Sequence, residues 1–154
     1  MFFQKNRRQI ERYAVLWDGV LEVRYTDYET RMTVTVSDFS GKGAMIHADR
    51  MFVNDRLLIS AHHRPRLTLK AFSPLGMFHA RVKICWYRWD VEKNGFEIGL
   101  EYVDPSPENQ LLASQVLSML HKQYRRAHGF YRRLKGQTAR PSPPCQTRPS
   151  RSPA

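Results

Sequence analysis

Two short stretches concentrate the side chains able to do chemistry. Arg7, Arg8 and Arg12 form R-R-x-x-x-R near the start of the chain, and Asp38-Phe39-Ser40-Gly41-Lys42-Gly43 forms D-x-S-x-x-G further on. Arginine presents a planar donor fork that matches phosphate oxygens and the O6/N7 edge of guanine. A carboxylate accepts from guanine N1–H and N2–H, so a guanine nucleotide carrying phosphates would engage both stretches. Each stretch also has a plainer reading. An arginine cluster near a terminus is usually a solvated face, and Asp, Ser and Gly together often make a turn whose side chains bond their own backbone.

The elements that must position these residues are mostly strands. Leu21, Val23 and Tyr25 alternate with Glu22 and Arg24, and Met32, Val34 and Val36 alternate with Thr33, Thr35 and Ser37. This period of two marks strands with one buried face, and the polar Thr26–Thr30 between them predicts a hairpin. Gly43–His47 reads as a short strand. Leu57–Ser60 and Leu67–Lys70 read as strands on either side of a turn at His62-His63-Arg64-Pro65. Phe78, Ala80, Val82, Ile84 and Trp86 give the clearest alternation, which places Trp86 with the core, and Phe96, Ile98, Leu100 and Tyr102 repeat it after Lys93-Asn94-Gly95. Glu97 and Glu101 then form a solvent-side row. One-sided strands with polar connectors argue for a mainly β chain folded as a small closed antiparallel barrel, since closure removes exposed edges. The parity of Met32, Val34 and Val36 aims Asp38 and Ser40 inward. A bend or bulge near Ser37–Gly41 is required to turn them to the rim.

After Val103 the pattern changes to helical. Ser106 is placed as N-cap, Pro107 at the first helical position and Glu108 in the positive first turn. Leu112, Val116, Met119 and Leu120 form an apolar stripe that predicts packing on the barrel. Tyr124, Ala127, Tyr131 and Leu134 continue it, with Arg125, Arg126, Arg132 and Arg133 opposite, and Gly129 interrupts at a cost of about 1 kcal/mol relative to alanine. The expected organisation is one domain over 1–128, comprising a mobile nucleotide-binding segment at 1–12, the barrel at 13–104 and the helix at 106–128. A basic, Pro/Ser-rich tail at 129–154 lacks the apolar residues that would offset ordering entropy.

The 154 residues suit one domain. No apolar leader opens the chain and no run suffices to span a bilayer, so a soluble, cytoplasmic protein with reduced Cys85 and Cys145 is expected. The formal net charge is +11, yet residues 1–108 balance to +2 and the nine basic residues of 109–154 meet no acidic one. That basic third could attract an anionic membrane surface, nucleic acid or an acidic protein face. No zinc-like ligand spacing surrounds His47, His62, His63 or His79, and no nucleophile motif appears, so neither a metal, a cofactor nor an enzyme is expected. Trp17, Trp86, Tyr87 and Trp89 read as core or rim packing.

The two motifs in this order, together with Gly95-Phe96-Glu97-Ile98-Gly99-Leu100-Glu101-Tyr102-Val103-Asp104 as a last barrel strand, resemble the PilZ domain over about residues 5 to 120. The resemblance implies a non-enzymatic bacterial receptor for cyclic di-GMP that signals to a downstream partner protein in motility, biofilm or polysaccharide control. It implies Arg8 and Arg12 as guanine and phosphate ligands, Asp38 as the guanine N1/N2 acceptor and Ser40 as a polar contact. Gly43 would permit close backbone approach, and Arg7 would accompany binding of a stacked ligand dimer. Ligand would fold the arginine segment across the barrel mouth. Two other readings are a PilZ-like scaffold of pilus or motility machinery that binds no nucleotide, and a small-barrel nucleic-acid binder acting through the basic tail.

Overall fold

The computed structural model describes residues 11–60 and 64–138, with the backbone alone for 135–138; Arg7, Arg8, His62, His63 and everything after residue 138 lie outside the described residues. In chain order the strands are β1 (Arg12–Arg24), β2 (Glu29–Ser40), β3 (Gly43–Ala48), β4 (Phe52–Val53), β5 (Arg56–Leu57), β6 (Arg66–Ser73), β7 (Gly76–Asp90) and β8 (Gly95–Val103), followed by helix α1 (Pro107–Thr138). Six of them close an antiparallel barrel in the order β1-β2-β3-β8-β7-β6, with β6 pairing back onto β1. The alternating runs account for this wall. Leu21, Val23, Val36, Ile46, Leu69, Phe78 and Ile98 all point inward and are buried. Near one end Phe39, Phe78 and Tyr102 pack ring against ring at centroid distances of 5.0–6.1 Å. Truncating a buried phenylalanine of this kind costs about 3–5 kcal/mol.

The β1–β2 hairpin forms as the alternation predicts, its turn closed by the Tyr25 amide donating to the Tyr28 carbonyl at 2.8 Å. β1 begins at Arg12, opposite Ser40, so this arginine belongs to the barrel wall and not to the segment before it. The strand expected over Leu57–Ser60 is cut to Arg56–Leu57, which pairs with Phe52–Val53 in a separate hairpin. Asn54 and Asp55 make its turn with φ of 45° and 62°, the left-handed pair of a type I′ turn. Past Leu57 the backbone folds back, with Leu58 N–H donating to the Met51 carbonyl and Ser60 N–H to that of Leu57, which removes these residues from any ladder.

The chain divides into two compact units, the first ending at His121 and the second beginning at Lys122. Within the first, Ser106 caps α1: its hydroxyl accepts from the Asn109 amide at 3.3 Å. Buried Asn109 in turn accepts from the His79 amide at 2.9 Å, tying the helix start to β7. Ala113 and Val116 are buried in the barrel core, and Leu112 and Leu117 reach the β6–β7 and β2–β3 turns near Gly76 and Gly41. The apolar stripe of α1 thus covers the opening framed by those turns. The helix does not stop at residue 128 but runs through Gly129 to Thr138. A single glycine penalty is outweighed where Tyr, Arg, Leu and Lys on both sides keep the helical turn.

Candidate functional site

A cavity of about 820 Å³ opens on the outer wall of the barrel, lined by Glu11, Arg12, Asp38, Ser40, Lys42, Gly43, Ala44, Met45, Cys85, Trp86, Gly99, Leu100 and Glu101. This cavity lies on the face of β3 and β8 that points away from the core. Ile46, Ile98 and Tyr102 face inward, so Met45, Gly99 and Glu101 face outward by the period of two.

Two bulges build this site. In β2, Val36 pairs with Ile46 and Asp38 with Met45, leaving Ser37 as the extra residue, with its hydroxyl on the Met45 carbonyl at 3.2 Å. The slip reverses the strand's parity: Phe39 takes the core position and Asp38 turns out to the cavity. The bend demanded by the sequence pattern is therefore present at Ser37. In β7, Ile84 pairs with Leu100 and Trp86 with Gly99, leaving Cys85 extra. Trp86, placed in the core by alternation, is in fact swung out at 38 % exposure. Its indole lies on Gly99, where any added Cβ would come within 2.2 Å of Nε1, so the glycine is what seats the ring. Arg88 stands over the same ring at 5.7 Å.

Asp38 is half-buried and its Oδ1 has no hydrogen-bond partner. Burial raises its pKa, and the nearby Arg12 guanidinium opposes that rise. Tyr102 is pushed up as well, first by its own burial and then by the Asp38 charge, and its hydroxyl is also unpartnered. Asp38 lines the cavity with one buried carboxylate oxygen left without a partner, an arrangement that suits a ligand bearing N–H donors. Arg12 and Lys42 supply positive charge at the rim, both exposed.

Ser40 and Gly43 have local work. Ser40 is 3 % exposed, and its hydroxyl donates to the Gly43 carbonyl at 3.0 Å while accepting from the Gly43 amide at 3.1 Å and the Lys42 amide at 3.3 Å. It holds the β2–β3 turn that presents Lys42. A Cβ on Gly43 would fall 2.1 Å from the Leu100 carbonyl oxygen, so this glycine serves close approach of β3 to β8. The structure thus brings Arg12, Asp38, Ser40 and Gly43 to one cavity, while Arg7 and Arg8 lie outside the described residues. Trp86, Lys42 and Gly99 were missed by the sequence reading. A glycine among bulky strand residues opposite an aromatic run is the signal that could have found Trp86 and Gly99.

The solvent-side row of glutamates is half right. Glu101 is exposed and meets Lys83 at 3.4 Å, but Glu97 is 6 % exposed, held by Arg88 at 2.5 Å and Lys93 at 3.9 Å. Burial between the ends of β7 and β8 is tolerated because both partners are cations. Among the described residues no three His, Cys, Asp or Glu side chains gather as metal ligands would. Cys85 is a free thiol, pushed up by burial and by its contact with Glu101.

The family profile of the PilZ domain matches residues 6–118. No curated protein matches the sequence significantly. Among solved structures, the PilZ domain with c-di-GMP of YcgR from Escherichia coli aligns with a TM-score of 0.53 at 12 % identity, over 80 % of this chain and 98 % of that one. The MrkH–c-di-GMP complex of K. pneumonia aligns at 0.56 and 14 %, over 79 % and 56 %. The Bacillus subtilis inhibitor of motility MotI aligns at 0.54 and 16 %, over 77 % and 51 %. The chain therefore spans about half the length of the latter two.

Proposed function

The chain belongs to the PilZ domain family, and from that premise we propose that it is a non-enzymatic receptor for cyclic di-GMP whose binding alters a surface read by a downstream protein. The observation that carries this reading is that Asp38, half-buried with one oxygen unpartnered, lines the same cavity as Arg12 and the partly exposed Trp86. Structural relatives solved with c-di-GMP, YcgR and MrkH, lend it support.

In this account a guanine gives N1–H and N2–H to Asp38, supplying donors that offset the cost of burying its charge. Arg12 and Arg8 take the phosphates and the guanine O6/N7 edge through bidentate donors, with Arg7 assisting where a second, stacked ligand is present. Trp86 offers a flat surface to a base. Ser40 acts by fixing the turn, and Gly43 by keeping β3 close to β8. Engagement of the arginines by the ligand is the change passed on, with no chemical turnover. The protein is expected to act in the bacterial cytoplasm.

Isothermal titration tests this directly. Cyclic di-GMP should bind at least ten times more tightly than GMP, and the preference should vanish in folded Arg8→Ala, Arg12→Ala and Asp38→Ala variants. Affinity for cyclic di-GMP no better than for GMP in the unaltered protein would contradict this reading.

A further inference from the structure

The second half of α1 carries a pattern that nucleotide binding does not use. At 100° per residue, Tyr124, Ala127, Phe130, Tyr131 and Leu134 fall within an arc of about 120°, and Lys122, Arg125, Arg126, Arg132 and Arg133 fall within an equal arc centred on the opposite side. Both arcs are exposed. Phe130 is 65 % open to solvent, and the arginines around it are exposed throughout. No acidic residue occurs anywhere from 109 to 154, so the basic arc has no negative neighbour along its own sequence.

We propose that residues 122–134 of α1 form a docking surface for an anionic phospholipid bilayer, lying in the plane of the interface. Charge complementarity selects the occupant's sign, and the apolar arc selects its kind. A nucleic acid would engage the basic arc through phosphates and leave Phe130 in water. A bilayer engages both: Phe130 and Leu134 enter the boundary between headgroups and acyl chains, the two tyrosines sit where one end of the ring is wet, and the long arginine stems reach the headgroup phosphates. Among the described residues no helix is long and apolar enough to cross a membrane. This surface is independent of the cyclic di-GMP reading and would stand if that reading failed.

The test is co-sedimentation of the whole chain with phosphatidylcholine vesicles, with and without phosphatidylserine. Binding is expected only with phosphatidylserine and should weaken as salt is raised. Phe130→Ser should lower the partition coefficient at least tenfold while leaving cyclic di-GMP affinity, measured without vesicles, unchanged. Should serine fray the helix, the paired variant R132Q/R133Q, which keeps good helix formers, should show the same loss with its helical circular dichroism intact. Sedimentation that does not depend on phosphatidylserine would overturn the proposal. So would full vesicle binding by both variants, or retardation of a single-stranded oligonucleotide, equal in Phe130→Ser, by a chain that ignores vesicles.

Discussion

Two aspartates, each with an arginine near it, have opposite fates in this barrel. Asp27, in the β1–β2 turn, is gripped by Arg56 through two contacts of 2.6 Å, and the guanidinium also lies over the Tyr25 and Tyr28 rings at 5.0 and 5.9 Å. Those rings are themselves stacked, 7° from parallel. Asp38 lies half-buried with one oxygen unpartnered and with Arg12 near enough to oppose the rise in its pKa. The first carboxylate completes a structural clasp between two hairpins. The second has no such clasp, and in the proposed account a ligand supplies the missing donor.

The largest effect expected from breaking this contrast is on ligand affinity. Asp38→Asn removes the charged acceptor and should weaken cyclic di-GMP at least a hundredfold, the scale of a charge-assisted pair at about 3 kcal/mol. The same change should raise the melting temperature of the ligand-free protein. A folded-state pKa raised above the ordinary 3.8 means the charged form costs stability once pH exceeds it. The advantage of Asp38→Asn should therefore be present at neutral pH and shrink as pH falls through the raised value toward 3.8. A melting series against pH checks the sign.

Next in size, Trp86→Ala should weaken binding about tenfold, as loss of one stacking surface does, with little change in stability because the ring is already partly exposed. Titration and thermal melting of that variant separate the two readouts. Smallest of all, Asp27→Asn should leave cyclic di-GMP affinity unchanged and lower the melting temperature slightly, since the clasp is solvent-exposed. A binding defect there as large as at Asp38 would erase the distinction between the two aspartates.

How much of this was legible in the chain depends on where the ladder is regular. Alternation placed Leu21, Val34, Phe78 and Ile98 in the core, because a strand with one buried face leaves no other pattern, and the cap at Ser106 followed from side-chain chemistry at a helix start. The need for a bulge near Ser37 was readable too, since Asp38 and Ser40 could not be functional at their nominal parity. The bulge at Cys85 was not. Nothing in Ile84-Cys85-Trp86 departs from a buried alternating strand until its partner Gly99 is known to leave room for an indole on the outer wall. Glu97 was misplaced for a related reason, as its burial depends on Arg88 and Lys93 arriving from a neighbouring strand and turn. Leu58–Ser60 shows the limit of short apolar runs, which pack equally well in a turn. Gly129 shows that of single-residue penalties.

The claim that Asp38 reads guanine is tested most directly by changing both sides of the contact. Cyclic di-GMP and its inosine analogue, which lacks the N2 amino group, should be titrated against the unaltered protein and against Asp38→Asn. The unaltered protein should prefer guanine at least tenfold, and Asp38→Asn should bind both ligands weakly and about equally. If the unaltered protein binds the two alike, or if Asp38→Asn keeps the full preference, the unpartnered carboxylate is not the guanine acceptor.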